Sequence, residues 1–112
     1  MKIVTLTVNP AVDKSTHIDR LIPEQKLRCD APRFDAGGGG INVSKAIKRL
    51  GGKSTAIFTT GGPSGQVLRD LVSQEGIDCE VIQTEQWTRE NFIVAETSTN
   101  AQYRFGMPGA AL

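Results

Sequence analysis

The spacing of apolar positions along this chain switches between a period of two and a period near 3.6, and each switch marks an element. Ile3-Val4-Thr5-Leu6-Thr7-Val8 is short, β-branched and almost continuously apolar, which predicts a strand at the centre of a parallel sheet. Asn9-Pro10 then supplies a turn. Lys26-Leu27-Arg28-Cys29-Asp30-Ala31 alternates polar and apolar residues, which predicts a strand with one wet face. Pro23 and Pro32 bracket it, as suits an edge position. His17 to Ile22 is the candidate to pair with it. After Gly37-Gly38-Gly39-Gly40, the residues Val43, Ala46, Ile47 and Leu50 recur at i, i+3, i+4 and i+7, the apolar stripe of a helix. Gly51 stands where a left-handed cap is needed. Residues 54–60 read as the next strand and Gly61-Gly62-Pro63 as a turn. Ser64 to Glu75 reads as a second helix, with Val67, Leu68, Leu71 and Val72 on one face and Gly76 after its end. Strands at about 79–83, 91–96 and 102–106 follow. This order predicts an α/β fold with crossover units on a mostly parallel sheet.

A length of 112 residues bounds the chain to one small domain. A net charge of +1 gives no general affinity for nucleic acid or acidic membranes. The apolar runs are too short to cross a bilayer, and Asn9-Pro10 and Asp13-Lys14 interrupt the first of them too soon for a signal peptide. Cys29 and Cys79 fall in no C-x-x-C pattern. They read as two free thiols in a reducing cytoplasm, with no metal site implied.

Several residues then stand out for their chemistry. The glycine run opens a helix, where free amides and the dipole favour anionic or oxygen-rich ligands, and a residue without Cβ lets a ligand lie against the backbone. The alternatives are a ligand site and a purely structural turn. The run is not a dinucleotide fingerprint, because Asn42 occupies the place of the third glycine. Gly52-Lys53-Ser54 imitates the end of a phosphate-binding loop, but Ile47 stands where its first glycine belongs, and it follows a helix and precedes a strand. It reads as a helix exit. Asp13 lies just beyond the first strand, at the edge of an α/β sheet where ligands gather. It is either an acceptor for sugar hydroxyls or a turn residue. Arg89 and Arg104 carry forks that match phosphate oxygens, although a single arginine is usually solvated. Trp87 reads as packing, and His17 has no identifiable catalytic partner.

Two segments carry a family resemblance. Thr7-Val8-Asn9-Pro10-Ala11-Val12-Asp13 resembles the T-x-N-P-A-x-D signature of PfkB-type sugar-phosphate kinases of the ribokinase superfamily. Gly37-Gly38-Gly39-Gly40-Ile41-Asn42-Val43-Ser44-Lys45-Ala46 resembles their G-G-x-G-x-N-x-A signature, with Ser44 where alanine is usual. Gly39, together with Lys26-Leu27-Arg28-Cys29 and Tyr103 to Leu112, is similar to the minor 6-phosphofructokinase subgroup rather than to 1-phosphofructokinases, many of which have lysine at the place of Gly39.

The resemblance implies a ribokinase-like α/β fold, a mostly parallel sheet with flanking helices and a small β-lid of strands inserted at about 14–35, the whole being the truncated N-terminal, sugar-binding part of a kinase over residues 1–112. It implies a sugar phosphate held by Asp13, the Gly37–Gly38 backbone and Asn42, with Arg89, Arg104 and, from the lid, Lys26 toward the phosphate. The implied reaction moves the γ-phosphoryl group of Mg-ATP to the C1 hydroxyl of fructose 6-phosphate. The alternatives are 1-phosphofructokinase, tagatose-6-phosphate kinase or a non-catalytic sugar-phosphate-binding module. The family's catalytic G-A-G-D motif is absent from these residues. No catalytic residue is therefore assigned within the chain, Mg-ATP is expected to be bound mainly beyond it, and the chain alone is expected to be inactive. A homo-oligomer through the lid is expected, with neither nucleic acid nor membrane as partner.

Overall fold

The computed structural model describes residues 2–109. Ala110 to Leu112, which end one of the family-like segments, lie outside the described residues. Two sheets carry the chain. The first holds β1 (Val4–Thr7), β4 (Thr55–Thr60) and β5 (Asp78–Gln83) in the order β1-β4-β5, all parallel. The second holds β2 (Ala11–Ile18), β3 (Arg33–Gly37), β6 (Arg89–Glu96) and β7 (Ala101–Phe105) in the order β3-β2-β6-β7. In it β2 runs parallel to β6 and antiparallel to β3, and β7 closes a hairpin with β6. Helices α1 (Gly39–Arg49) and α2 (Gly62–Gln74) supply the crossovers of the first sheet.

The parallel sheet agrees with the expectation drawn from the sequence; the lid is differently built. Lys26 to Ala31 forms no strand, and His17 to Ile22 is strand only to Ile18. The lid strand lies earlier, at Ala11–Ile18, and its polar middle (Asp13-Lys14-Ser15-Thr16) hid it from a hydrophobicity count. Its parallel neighbour β6 is recruited from some 78 positions further along, as in the pairing of Ala11 with Arg89. The lid is therefore four-stranded, and the strands read at 91–96 and 102–106 belong to it. Residues 19–32 form a loop fastened at its two ends. The Asp30 amide donates to the His17 carbonyl at 3.1 Å, and the Thr16 hydroxyl donates to the Asp30 carbonyl at 2.6 Å. His17 and Asp30 also pair through their side chains.

Both helices cover one face of the parallel sheet. Phe58, Leu68, Val72, Ile41, Ala56 and Ile77 are buried there, and Val12 and Ala36 extend the same core into the lid. The expected apolar face of α1 is not the buried one. Ile41 and Ser44 point inward, whereas Val43 is exposed and Leu50 is 88% exposed. The reason lies at the start of the helix. The Ile41 amide donates to the Thr7 hydroxyl at 3.0 Å, and Ser44 shares a 2.7 Å hydrogen bond with Thr5, which fixes the rotation of the helix on β1. On α2 the expected face does pack: Leu68 and Val72 are buried and Leu71 lies against the core, with Val67 at the margin. Gly51 and Gly76 both take positive φ, as expected of residues that end helices. The other face of the parallel sheet carries Val4, Leu6 and Ile82, all exposed.

Glu96 closes the far end of the lid. It is buried, and it accepts the Leu21 amide at 2.7 Å and the Thr99 hydroxyl at 2.6 Å. The Thr99 hydrogen bond, then the Leu21 amide and the nearby Arg20 charge, hold its carboxyl below the ordinary value of 4.5 against the opposing cost of burial. A depressed carboxylate stabilises the fold fully above its unfolded value, and that contribution is lost as pH falls through the folded value. Glu96→Gln should therefore lower the melting temperature at pH 7, and the gap to wild type should shrink as pH falls below about 4.5. Thermal melts across pH 3–7 read this directly. A gap that stays constant with pH would show that the carboxylate charge contributes nothing.

Candidate functional site

The carboxyl end of the parallel sheet meets the inner face of the lid, and the register of the lid decides which side chains gather there. Asp13 on β2 pairs with Asp35 on β3 and Asn91 on β6, so all three share one face. Two residues on, Ser15 pairs with Arg33 and Ile93, and Ile93 pairs with Arg104 on β7. Arg104 therefore stands on the same face as Asp13, one row away, while Tyr103 and Phe105 point to the other face. The ambiguity of an arginine between two aromatics is resolved by this register.

Asp13, Asn91, Ile93 and Arg104, with Phe92, Phe105 and Gly106, line a cavity of about 280 Å³. This is near the lower end of the ~300–1,000 Å³ usual for small-molecule pockets. Asn91 organises it. Its amide donates to Asp13 Oδ1 at 3.3 Å, and its carbonyl oxygen accepts the Met107 amide at 2.9 Å. Arg104 Nε donates to Gln102 at 3.3 Å, an exposed contact that leaves the rest of the fork to the solvent side. The site thus sets a hydrogen-bond-accepting carboxylate and a cation on one wall, the donor set suited to hydroxyls at one end of a ligand and an anion at the other.

The glycine run borders this wall. A Cβ on Gly37 would collide with the Asp13 carboxylate, so the backbone there lies directly against it. Gly38 has φ +133°, and a side chain there would strike Thr7 and Pro10. Gly40 is pressed onto Thr7 and the Leu6 carbonyl. At Gly39 a Cβ would meet nothing within 4 Å. Three of the four glycines thus have a packing cause, and the fourth leaves open space at the helix entrance. The N-cap residue Gly38 has no side chain to cap α1 and the first turn has no acidic residue, so the Thr7 hydroxyl, which accepts the Ile41 amide, and the Asp13 carboxylate beside Gly37 are the side chains that meet the positive end of its dipole.

The other candidates fall in different places. Asn42 is exposed in the first turn of α1, its amide bonded to the Gly38 carbonyl at 2.9 Å. Arg89 shares the inner face with Asn91, two residues away, but its guanidinium is spent on backbone: Nε to Pro10 O at 3.4 Å, and its two terminal nitrogens to Met107 O at 3.2 Å and Asn9 O at 3.1 Å. Lys26 is exposed in the loop 19–32, and among the described residues no hydrogen bond or ion pair ties it to the pocket. Trp87 lies against Gly62 at the start of α2. Lys53 is exposed at the helix exit, as the Gly52-Lys53-Ser54 reading expected. Cys29 and Cys79 are both free. Among the described residues no group of three or more histidines, cysteines and carboxylates is placed to hold a metal, and no helix is long and apolar enough to cross a membrane. Asn91 was missed from the sequence, because its meaning lies only in its register with Asp13.

The model of the pfkB family carbohydrate kinases matches residues 3–111. The chain is 47% identical over 112 residues to ATP-dependent 6-phosphofructokinase isozyme 2 of Escherichia coli K12, covering 100% of this chain and 36% of that protein. It is 49% identical over 111 residues to the isozyme of the same name from Mycobacterium tuberculosis, covering 99% and 33%. The crystal structure of phosphofructokinase-2 from Escherichia coli in complex with fructose-6-phosphate superposes with a TM-score of 0.93 at 48% identity, over 99% of this chain and 37% of that one. The chain thus spans about a third of the length of the curated relatives it matches. Its α/β architecture is ribokinase-like, as the signatures implied. On the strength of the family match across nearly all its residues, the chain belongs to the pfkB family of carbohydrate kinases.

Proposed function

We propose that the chain is the sugar-phosphate-binding part of a 6-phosphofructokinase that transfers the γ-phosphoryl group of ATP to the C1 hydroxyl of fructose 6-phosphate. The observation that supports this is the convergence of Asp13, Asn91 and Arg104 on one cavity beside the glycine-rich start of α1. In this reading the Asp13 carboxylate accepts hydrogen bonds from sugar hydroxyls and Asn91 holds it in place. The Gly37–Gly38 backbone and Asn42 border the sugar. Arg104 addresses the phosphate, with Arg89 and Lys26 on the same errand from the hinge and the loop. Phosphoryl transfer depends mainly on alignment and charge stabilisation, and this part of the protein supplies the alignment. The family's G-A-G-D motif is not among these residues, and we place magnesium, the nucleotide and the proton-accepting base on residues outside 2–109. When bound, the nucleotide supplies the transferred group.

The lid's outer face supports the expected self-association. Lys14 lies 5.2 Å from the Phe34 ring and 5.6 Å from the Phe92 ring, and Phe34, Phe92, Tyr103 and Phe105 are all partly exposed there. A second copy would cover these rings.

Steady-state kinetics of the full-length protein with fructose 6-phosphate, fructose 1-phosphate and tagatose 6-phosphate tests the substrate. Turnover of fructose 6-phosphate is expected, and turnover of fructose 1-phosphate alone would overturn the assignment. Arg104→Gln should weaken fructose 6-phosphate roughly tenfold to a hundredfold, the range for a lost hydrogen bond to a charged group, while leaving the weak binding of unphosphorylated fructose unchanged. Equal losses for both sugars would remove Arg104 from the phosphate.

A further inference from the structure

Gly52-Lys53-Ser54, the exit from α1, also walls a cavity of about 220 Å³ at the amino ends of β4 and β5, the opposite end of the parallel sheet from Asp13. The 6 residues of β4 separate the two ends by about 20 Å, at ~3.3 Å per residue. Lys48, Lys53, Ser54 and Asp78 supply the polar groups of this cavity, and the buried Ser44 forms part of its wall. Ser54 donates to Ser44 at 2.9 Å, and Ser44 shares its 2.7 Å hydrogen bond with Thr5. That chain of hydroxyls ties the start of β4 to α1 and β1 and so fixes the wall. The Lys48 ammonium stands beside Gly76, where an added Cβ would lie 3.3 Å from Nζ.

The charges around this cavity are unpaired. Among the described residues Lys48 and Lys53 have no ion pair and no side-chain hydrogen bond, and Lys53 and Asp78 do not pair although they line the same cavity. Two further unpaired cations border it, Arg49 in the groove shared with Lys48 and Lys2 in the groove shared with Lys53. Lys45, by contrast, is engaged by the Ala36 carbonyl and Glu75. Lys2, Lys48, Arg49 and Lys53 thus face the single free carboxylate of Asp78, in a chain whose formal net charge is only +1. Both helices end here, and the negative ends of their dipoles oppose an anion. Those ends are blunted, because the Ala46, Ile47 and Lys48 carbonyls already accept the amides of residues 50–52, and Val72 and Ser73 accept those of Glu75 and Gly76.

We propose that this cavity is a second small-molecule site, which takes a phosphate monoester carrying hydroxyl groups: Lys48 and Lys53 receive the phosphate, and Asp78 accepts from the hydroxyls. Ammonium groups give phosphate charge-assisted hydrogen bonds, and two lysines on flexible stems converge on one phosphate without a backbone shift. The carboxylate across the cavity repels a bare anion but accepts hydroxyl donors, so it selects a hydroxylated ester over inorganic phosphate. The volume lies below the ~300–1,000 Å³ of most small-molecule pockets, which limits the ligand to a few carbons. This cavity shares no lining residue with the Asp13 pocket, so the assignment stands apart from the sugar-phosphate reading.

Titration of the full-length protein with glycerol 3-phosphate, followed by phosphorus NMR of the ligand, tests this. The Arg104→Gln protein is the background, because it lacks the cation of the Asp13 pocket. Glycerol 3-phosphate should bind it, and more tightly than inorganic phosphate does. Replacing Lys48 and Lys53 together by alanine in this background should weaken glycerol 3-phosphate roughly tenfold to a hundredfold. Both side chains are exposed and unpaired, so the melting temperature should stay close to that of the background protein. Lys53→Glu, a single exposed change, should abolish binding. Asp78→Ala should tighten inorganic phosphate and erase the advantage of the ester. Absence of binding to the Arg104→Gln protein, or binding that loss of the two lysines leaves unchanged, would overturn the site. An advantage of the ester that survives Asp78→Ala would overturn the hydroxylated class of ligand.

Discussion

Asp13→Ala in the full-length protein is expected to reduce kcat/KM for fructose 6-phosphate by about a hundredfold. Asp13 is half-buried on the inner face of the lid, with one oxygen committed to Asn91 at 3.3 Å and the carboxylate pressed against the Gly37 backbone. A hydrogen bond from a sugar hydroxyl to a charged acceptor is worth about 1.5–3 kcal/mol, and a factor of ten corresponds to about 1.4 kcal/mol. Loss of the carboxylate removes that bond and also leaves the Asn91 amide without its acceptor. The organiser of the wall is then free to turn, which adds misalignment to the lost contact. Asp13→Asn keeps the shape and an acceptor but loses the charge, and should fall between wild type and alanine. Because Asp13 lies outside the main apolar cluster, the melting temperature should move little compared with the activity. A change in kcat/KM of less than threefold would mean that the sugar does not touch this carboxylate.

The second large effect concerns the fold rather than the ligand. Gly40→Ala is expected to destabilise the protein by about 3 kcal/mol, at the upper end of the usual range for overpacking. The added Cβ would lie 2.5 Å from the Thr7 hydroxyl and 2.6 Å from the Leu6 carbonyl oxygen. Neither neighbour has room to yield. Leu6 and Thr7 are fixed in register with Ile57 and Phe58, and the Thr7 hydroxyl is already accepting the Ile41 amide. The helix start must instead lift from β1, which breaks that bond and disturbs the buried Ile41. Gly39→Ala is the control one residue away. Its Cβ meets nothing within 4 Å and its φ is not positive, so it should leave stability unchanged or raise it by about 0.4–1 kcal/mol through the unfolded chain. Any loss at Gly39 should appear in sugar-phosphate affinity instead. Chemical denaturation of the two variants side by side separates packing from recognition within a single glycine run. Equal stabilities would remove the packing explanation for Gly40.

How much of this was legible in the residues depended on how far apart the interacting partners stand. Local patterns located β1, β4, both helices and their glycine caps, because a strand's composition and a cap's need for positive φ are written within a few residues. The lid was harder. Lys26 to Ala31 alternates as a strand does but has no partner to pair with, and it ends up as loop. The true strand, Ala11–Ile18, carries a polar centre that is only half-buried, with Asp13 lining the cavity on its inner face. Its pairing with β6 spans most of the chain, and no local pattern encodes such a register. The same distance explains Asn91, which is unremarkable in sequence and central once it faces Asp13. For Arg104 the register chose between water and pocket. For Arg89 the sequence offered a free cation, and the structure engages it with three carbonyls. The rotation of α1 was misjudged because Thr5 and Thr7 on β1 recruit the polar Ser44 and the Ile41 amide, so that hydrogen bonds outweigh the apolar stripe in orienting that helix.

The most direct test of the shared pocket is a crystal structure of the full-length protein with fructose 6-phosphate bound. A sugar hydroxyl is expected within hydrogen-bond distance of the Asp13 carboxylate and the 6-phosphate within reach of Arg104, with the ring against the Gly37–Gly39 backbone. A sugar phosphate seated elsewhere, with Asp13 and Arg104 both facing solvent, would contradict it.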